Sequence, residues 1–253
     1  MKAIEFTRAS VALALCAALA LVAASCEQRP VGPETEKPAG NWVKIHGWND
    51  YYYNFSDVWA ASTNEFFIST RSSNDQLIHY DDASWRAGQI ELETGDAFEV
   101  EELWGRSPTD LYATGSVPSY RRDALIHFDG SAWSEAAIEA REGENLHDVW
   151  GDGTGHVFAV GFQVVHHFDG TSWSRTDIPG GYFWAVWGSS ASDVYAVGIN
   201  TYHYDGSAWS EMQGTSDMNL HGVWGSGPND VYAVDWNGQH EIVRFDGTEW
   251  RTA

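Results

Sequence analysis

The sequence predicts an all-β fold, a β-propeller of about five four-stranded blades, with six blades as the alternative. Three observations predict it. A tryptophan-centred unit recurs five times. Each unit holds four short runs rich in Val, Tyr and Trp, bounded by Gly, Ser and Asp, which is how strands are punctuated. One run in the unit is apolar at consecutive positions and so needs cover on both faces.

The units align on Trp59, Trp104, Trp150, Trp187 and Trp224. Val58, Leu103, Val149, Val186 or Val223 precedes the ring, and Phe55, Val100, Leu146, Phe183 or Leu220 stands four residues before it. The residue after it is Ala60 once and Gly in the other four copies. Seven residues beyond the ring a second strand opens at Phe66, Leu111, Val157, Val194 and Val231, behind Glu65, Asp110, His156, Asp193 and Asp230. The third strand closes at Asp81, Asp129, Asp169, Asp205 and Asp246, followed by Gly in all copies but the first, which has Asp82. Asp-Gly between two strand candidates is a hairpin signal, because the turn needs a positive φ. Four residues past each Asp comes a closing tryptophan, Trp85, Trp133, Trp173, Trp209 or Trp250, and these are 36 to 48 residues apart. That period suits propeller blades.

The second strand decides between propeller and sandwich. Val194, Tyr195, Ala196 and Val197 do not alternate with polar residues, whereas antiparallel sandwich strands usually have one wet face. In a propeller each sheet is covered by blades on both sides. The chain supplies 14 Trp and a 43% hydrophobic content for such a core. Trp42 opens a sixth closing segment (NWVKI), expected to seal the ring beside the last blade.

Residues 1–25 read as an export signal: Lys2 and Arg8, an apolar stretch from Val11 to Ala24, then small residues. Cys26 directly follows Leu21, Val22, Ala23, Ala24 and Ser25. Residues 26–40, with three prolines and many charges, read as a flexible tether, and the propeller is expected over 41–253. The other cysteine, Cys16, falls inside the signal, so no disulfide is expected in the mature chain.

Removing residues 1–25 takes away Lys2, Arg8 and Glu5, which moves the net charge from −22 to −23. Such a balance opposes nucleic-acid binding. No EF-hand spacing, G-x-S-x-G, H-E-x-x-H or P-loop is present. No cofactor, metal site or catalytic residue is therefore expected. His79, His127, His167 and His203 recur at one place in successive units. Equivalent positions around a ring do not converge on one ion, so they are expected to hydrogen-bond near the turns.

Connections from second to third and from fourth to first strands vary in length, and variable loops on a regular scaffold are where binding is expected. The distinctive residues on that face are Trp48, Tyr51, Tyr52, Arg121, Arg122, Tyr182, Trp184 and Trp236. Aromatic rings with polar tips suit recognition of peptides or sugars.

Two resemblances extend this reading. The segment ending at Cys26 resembles a bacterial lipobox, which implies a lipidated cysteine and, with Glu27 following, anchoring at the outer membrane of the cell envelope. His203, Tyr204, Asp205, Gly206, Ser207, Ala208 and Trp209, with their counterparts in the other units, resemble the BNR/Asp-box and WD40/YVTN-like propeller superfamily over 41–253. Together they imply a membrane-anchored, non-enzymatic binding module that presents its variable face to a protein or envelope partner. The alternatives are a lectin-like glycan binder with one central site and, less favoured, a glycoside-processing enzyme.

Overall fold

The computed structural model describes residues 55–71, 76–120, 122–141, 143–216, 218–236 and 242–253. The signal, the tether with Cys26, and Trp42, Trp48, Tyr51, Tyr52 and Arg121 lie outside the described residues. The described chain is all β. The first unit comprises β1 (Phe55–Ser62), β2 (Glu65–Thr70), β3 (Leu77–Asp81) and β4 (Trp85–Gly88). The second comprises β5 (Ile90–Glu91), β6 (Ala97–Ser107), β7 (Asp110–Val117), β8 (Arg122–Phe128) and β9 (Trp133–Glu135). The third and fourth run through β10 (Asp148–Gly151), β11 (Val157–Phe168), β12 (Trp173–Ser190), β13 (Asp193–Gly198), β14 (Thr201–Tyr204) and β15 (Trp209–Glu211). The fifth comprises β16 (Leu220–Gly227), β17 (Asp230–Asp235), β18 (Ile242–Phe245) and β19 (Trp250–Thr252).

Strands pair antiparallel in chain order, the meander of a propeller, and form four sheets. Five repeats occupy four sheets because β12 serves two units. Its first part, Trp173 to Asp177, pairs with β11, and its second, Phe183 to Ser190, pairs with β13. The fourth strand of the third unit thus continues as the first strand of the fourth. Within β11 the chain reverses at Gln163 (φ 58°), which stacks Phe158 on His167 with centroids 4.0 Å apart.

The turns form as their residues dictate. Asp205 Oδ1 accepts from Ser207 N at 2.8 Å, Ala208 N at 2.9 Å and the Ser207 hydroxyl at 2.7 Å. The same set recurs at Asp129, Asp169 and Asp246. The hydroxyl and the N–H donors hold Asp129, Asp205 and Asp246 down at about 2. The residue after each Asp has positive φ, including Asp82 at 67° where glycine is missing. The recurrent histidines sit as expected: His79, His127 and His203 bond Glu65, Asp110 and Asp193 at 3.2, 2.8 and 2.7 Å. In the third unit, where His156 replaces the acid, His156 and His167 share one bond of 3.0 Å. Burial, reinforced by His156, pushes His167 down to about 4.

The units pack through a ring and a gap. A Cβ built on Gly105, Gly188 or Gly225 would lie 2.9, 2.7 or 2.6 Å from the Trp59, Trp150 or Trp187 ring of the preceding unit, and one on Gly151 would meet Trp104 closer still. Real Cβ atoms do not approach that closely, so the glycine after each tryptophan is the seat of its neighbour's ring. Rows of side chains close the same interfaces. Val149, Val157 and Ala159 are buried against the second unit, and Phe158 and Val160 against the fourth. Truncating such a ring to Ala typically costs about 3–5 kcal/mol.

The two end faces differ. Tyr195 is 2% and Val197 0% exposed, yet Tyr232 and Val234, in the same Val-Tyr-Ala-Val run of β17, are half-buried. At the other end Val58, Phe66 and Ile68 are half-buried where Leu103, Leu111 and Ala113 are buried. Neighbouring inner strands pack against one another from β1 to β16, but β16 makes no comparable contact with β1 among the described residues. The expectation that both faces of every second strand are buried therefore holds for the middle units and fails at the ends, where no neighbour among the described residues covers the sheet.

Candidate binding site

Each inner strand carries a side chain three residues before its tryptophan: Ser56, Glu101, His147, Trp184 and His221. In four units the pairing with the second strand skips at this point, between Phe55 and Val58, Val100 and Glu102, Phe183 and Ala185, and Leu220 and Gly222. A bulge re-aims its side chain out of the regular alternation. Glu101, Trp184 and His221 consequently leave the inter-unit core for the end of the strands that the variable connections share, where His147, just ahead of β10, joins them, whereas Ser56 stays buried with its hydroxyl 2.9 Å from Ser69 Oγ.

There the third, fourth and fifth units build a row of rings. His147 lies 4.3 Å from Trp184, Trp184 stacks on His221 at 4.7 Å and 12°, and His221 lies 5.4 Å from Trp236. Phe162 and Tyr182, 4.8 Å apart, flank the first members, with Phe162 5.4 Å from His147 and 5.9 Å from Trp184. Asn219 holds the two tryptophans. Its Oδ1 accepts from Trp184 Nε1 at 2.9 Å and its carbonyl accepts from Trp236 N at 2.9 Å, while its own N–H donates to Asp235 Oδ1 at 2.8 Å. Trp236 is 53% exposed at the outer end of the row.

The inner end is charged. His147 Nδ1 lies 3.6 Å from Glu101 Oε2, and Arg71 of the second-to-third connection reaches Glu101 at 3.8 Å. Burial, then the Glu101 charge, pushes Asp123 up, and burial with His147 nearby pushes His221 down. Two residues before the tryptophans, Asp57 Oδ2 accepts from Leu103 N at 2.9 Å and Asp148 Oδ2 from Val186 N at 2.8 Å, each on the following unit. Desolvation raises both, Asp148 to about 7 with the Asp57 charge adding to it.

Of the predicted site residues, the structure brings Tyr182, Trp184 and Trp236 together. Arg122 takes no part in the row: its guanidinium donates to both Glu135 oxygens, at 2.6 and 2.7 Å, and lies 5.6 Å from the Tyr120 ring. His147, Phe162, Asn219 and His221 were not anticipated. The signal for His147 and His221 was available in the column three before the tryptophan, whose residue type changes from Ser56 to Glu101, His147, Trp184 and His221 while the residues four before and one before the ring stay apolar.

No family model matches the chain, and no curated protein matches it. Solved structures do. The chain is similar to YCF48 bound to D1 peptide, with 13% identity and TM-score 0.55 over 78% of this chain and 67% of the other. It is similar to a catalytically inactive virginiamycin B lyase from Staphylococcus aureus with quinupristin, with 12% identity and TM-score 0.62 over 79% and 69%. It is similar to the WD40 β-propeller domain of Doa1, with 11% identity and TM-score 0.59 over 79% and 67%. Likeness at this identity establishes the fold, a β-propeller.

Proposed function

We propose that this protein is a lipid-anchored binding module of the bacterial cell envelope, attached through Cys26 at the outer membrane, whose ring row grips an extended segment of a partner protein. The observation that carries the reading is the continuous row His147, Trp184, His221 and Trp236, built from three units and ending in an exposed tryptophan. Flat rings with polar edges take up peptide side chains by stacking and hydrogen bonding at low entropic cost. The fold it shares with YCF48, a propeller solved with a peptide, supports the same choice.

The test is mature protein, fluorescently labelled, on an immobilised peptide library and on a glycan array. Retention on peptides is expected, with Trp184→Ala or Trp236→Ala weakening it roughly tenfold or more. Retention on glycans alone would replace this reading with the lectin-like one. Metabolic labelling with a fatty acid tests the anchor independently; Cys26→Ser should abolish the label.

A further inference from the structure

We propose a second binding site, at the end of the strands opposite the ring row, that takes a small aromatic carboxylate between the second and third units. A cavity of about 340 Å³ opens there, walled by Trp104, Tyr112, Val157 and Phe168 and edged by Arg106 and Gly155. That volume lies within the usual range for small-molecule pockets. Gly155 makes the room. Its counterparts, five residues past each tryptophan, are Asn64, Thr109, Ser192 and Asn229. The last three press on the turn glycines of their own units. A Cβ on Gly130 or Gly206 would lie 3.0 or 2.7 Å from Thr109 or Ser192, and one on Gly247 closer still to Asn229. A Cβ on Gly170 would meet only the Gly155 carbonyl, at 4.0 Å.

Two donors border this gap without a protein acceptor. Asp110 holds His127 Nε2 at 2.8 Å through Oδ1 and Arg106 through Oδ2. In the fourth and fifth units a serine suffices for that second oxygen, Ser189 for Asp193 and Ser226 for Asp230, each at 2.5 Å. An arginine brings more donors than the acid can accept. Its Nη1 faces the third unit, 3.7 Å from where a Cβ on Gly155 would stand, with no acceptor among the described residues. The Tyr112 hydroxyl is the second donor. Its counterpart Tyr195 donates to the Pro228 carbonyl of the next unit at 3.3 Å. Thr154 stands in Pro228's place and turns its N–H and hydroxyl back to Asp152, at 2.8 and 2.6 Å. Tyr112 Oη has no hydrogen-bond partner among the described residues. A guanidinium and a phenol hydroxyl on one cavity fit the two oxygens of a carboxylate, and the rings of Trp104, Tyr112 and Phe168 fit a flat apolar body behind it.

The test titrates the full chain with 3-phenylpropanoate, its uncharged amide and acetate, followed by saturation-transfer NMR. Saturable binding of 3-phenylpropanoate is expected, with the amide and acetate each weaker by roughly tenfold or more. Arg106→Ser, which installs the residue of the fourth and fifth units, should weaken it roughly tenfold. Tyr112→Phe, which installs the residue the third unit has at Phe158, should weaken it about threefold. Sister units fold with both residues, so neither variant loses its fold. Gly155→Asn, which restores the fifth unit's side chain, should abolish binding; if the φ of 135° at that position keeps this variant from folding, the first two decide. Trp236→Ala should leave binding unchanged, and a loss there would place the ligand on the ring row and overturn the proposal. So would no saturable binding, equal binding of the amide, or binding undiminished in Arg106→Ser and Tyr112→Phe.

Discussion

Three residues, roughly 10 Å of extended chain, separate the tryptophan of each inner strand from the side chain in its bulge. At the tryptophan end all five units carry the same ring, and at the bulge end they carry Ser56, Glu101, His147, Trp184 and His221. The difference follows from what each position touches. In the first four units the ring is seated on the next unit's glycine, so both partners are fixed by volume. From the second unit on, the residue three before the ring meets its counterparts around the strand ends and side chains of the variable connections. One strand thus combines a position that tolerates one shape with a position that tolerates many, and the second kind is where recognition has room to vary.

This contrast can be broken most forcefully at a seat. Gly225→Ala should destabilise by about 2–3 kcal/mol in denaturant unfolding, because the methyl meets Trp187. Ala60→Gly, where no ring is seated among the described residues, should cost no more than about 1 kcal/mol. Asp148 stands between the two ends and tests the middle. Its pKa is raised from 3.8 to about 7, so between those values the folded chain holds a proton that the unfolded chain has lost. Its contribution is therefore most favourable below pH 4 and falls as pH rises to 7, by at most about 1.4 kcal/mol per pH unit. Unfolding measured across that range should show the decline, and Asp148→Asn should flatten it. The smallest effect belongs to the bulge end, where His221→Ser should leave stability within about 1 kcal/mol of the parent. A larger loss would show that the row is built for packing.

Fold and site were legible in the sequence to different depths. The strands and turns are local events: Asp205 with Gly206 makes a turn whatever surrounds it, and Val194 to Val197 makes a strand. What a single run cannot reveal is whether a neighbour follows, so identical Val-Tyr-Ala-Val runs are buried in β13 and half-open in β17. The shared β12 escaped notice because a fourth strand that flows into a first strand leaves no mark in the repeat. In the site, Tyr182, Trp184 and Trp236 were visible as aromatics foreign to the repeat. His221 was hidden because a bulge, not a sequence motif, turns it toward Trp184, and His147 because it stands just ahead of its strand. Arg122 stands apart from the row, held by Glu135 on an adjacent strand thirteen residues away.

The double sheet built on β12 has a mechanical meaning. Elsewhere the chain leaves the ladder between units, as it does from Glu211 to Leu220, offering a protease a substrate and a pulling force some slack. Between the third and fourth units only residues 178–181, with Gly180 at φ 84°, lack a ladder partner. That slack is short, so a load applied across the boundary reaches the paired strands of both units almost at once, as one span with two decks.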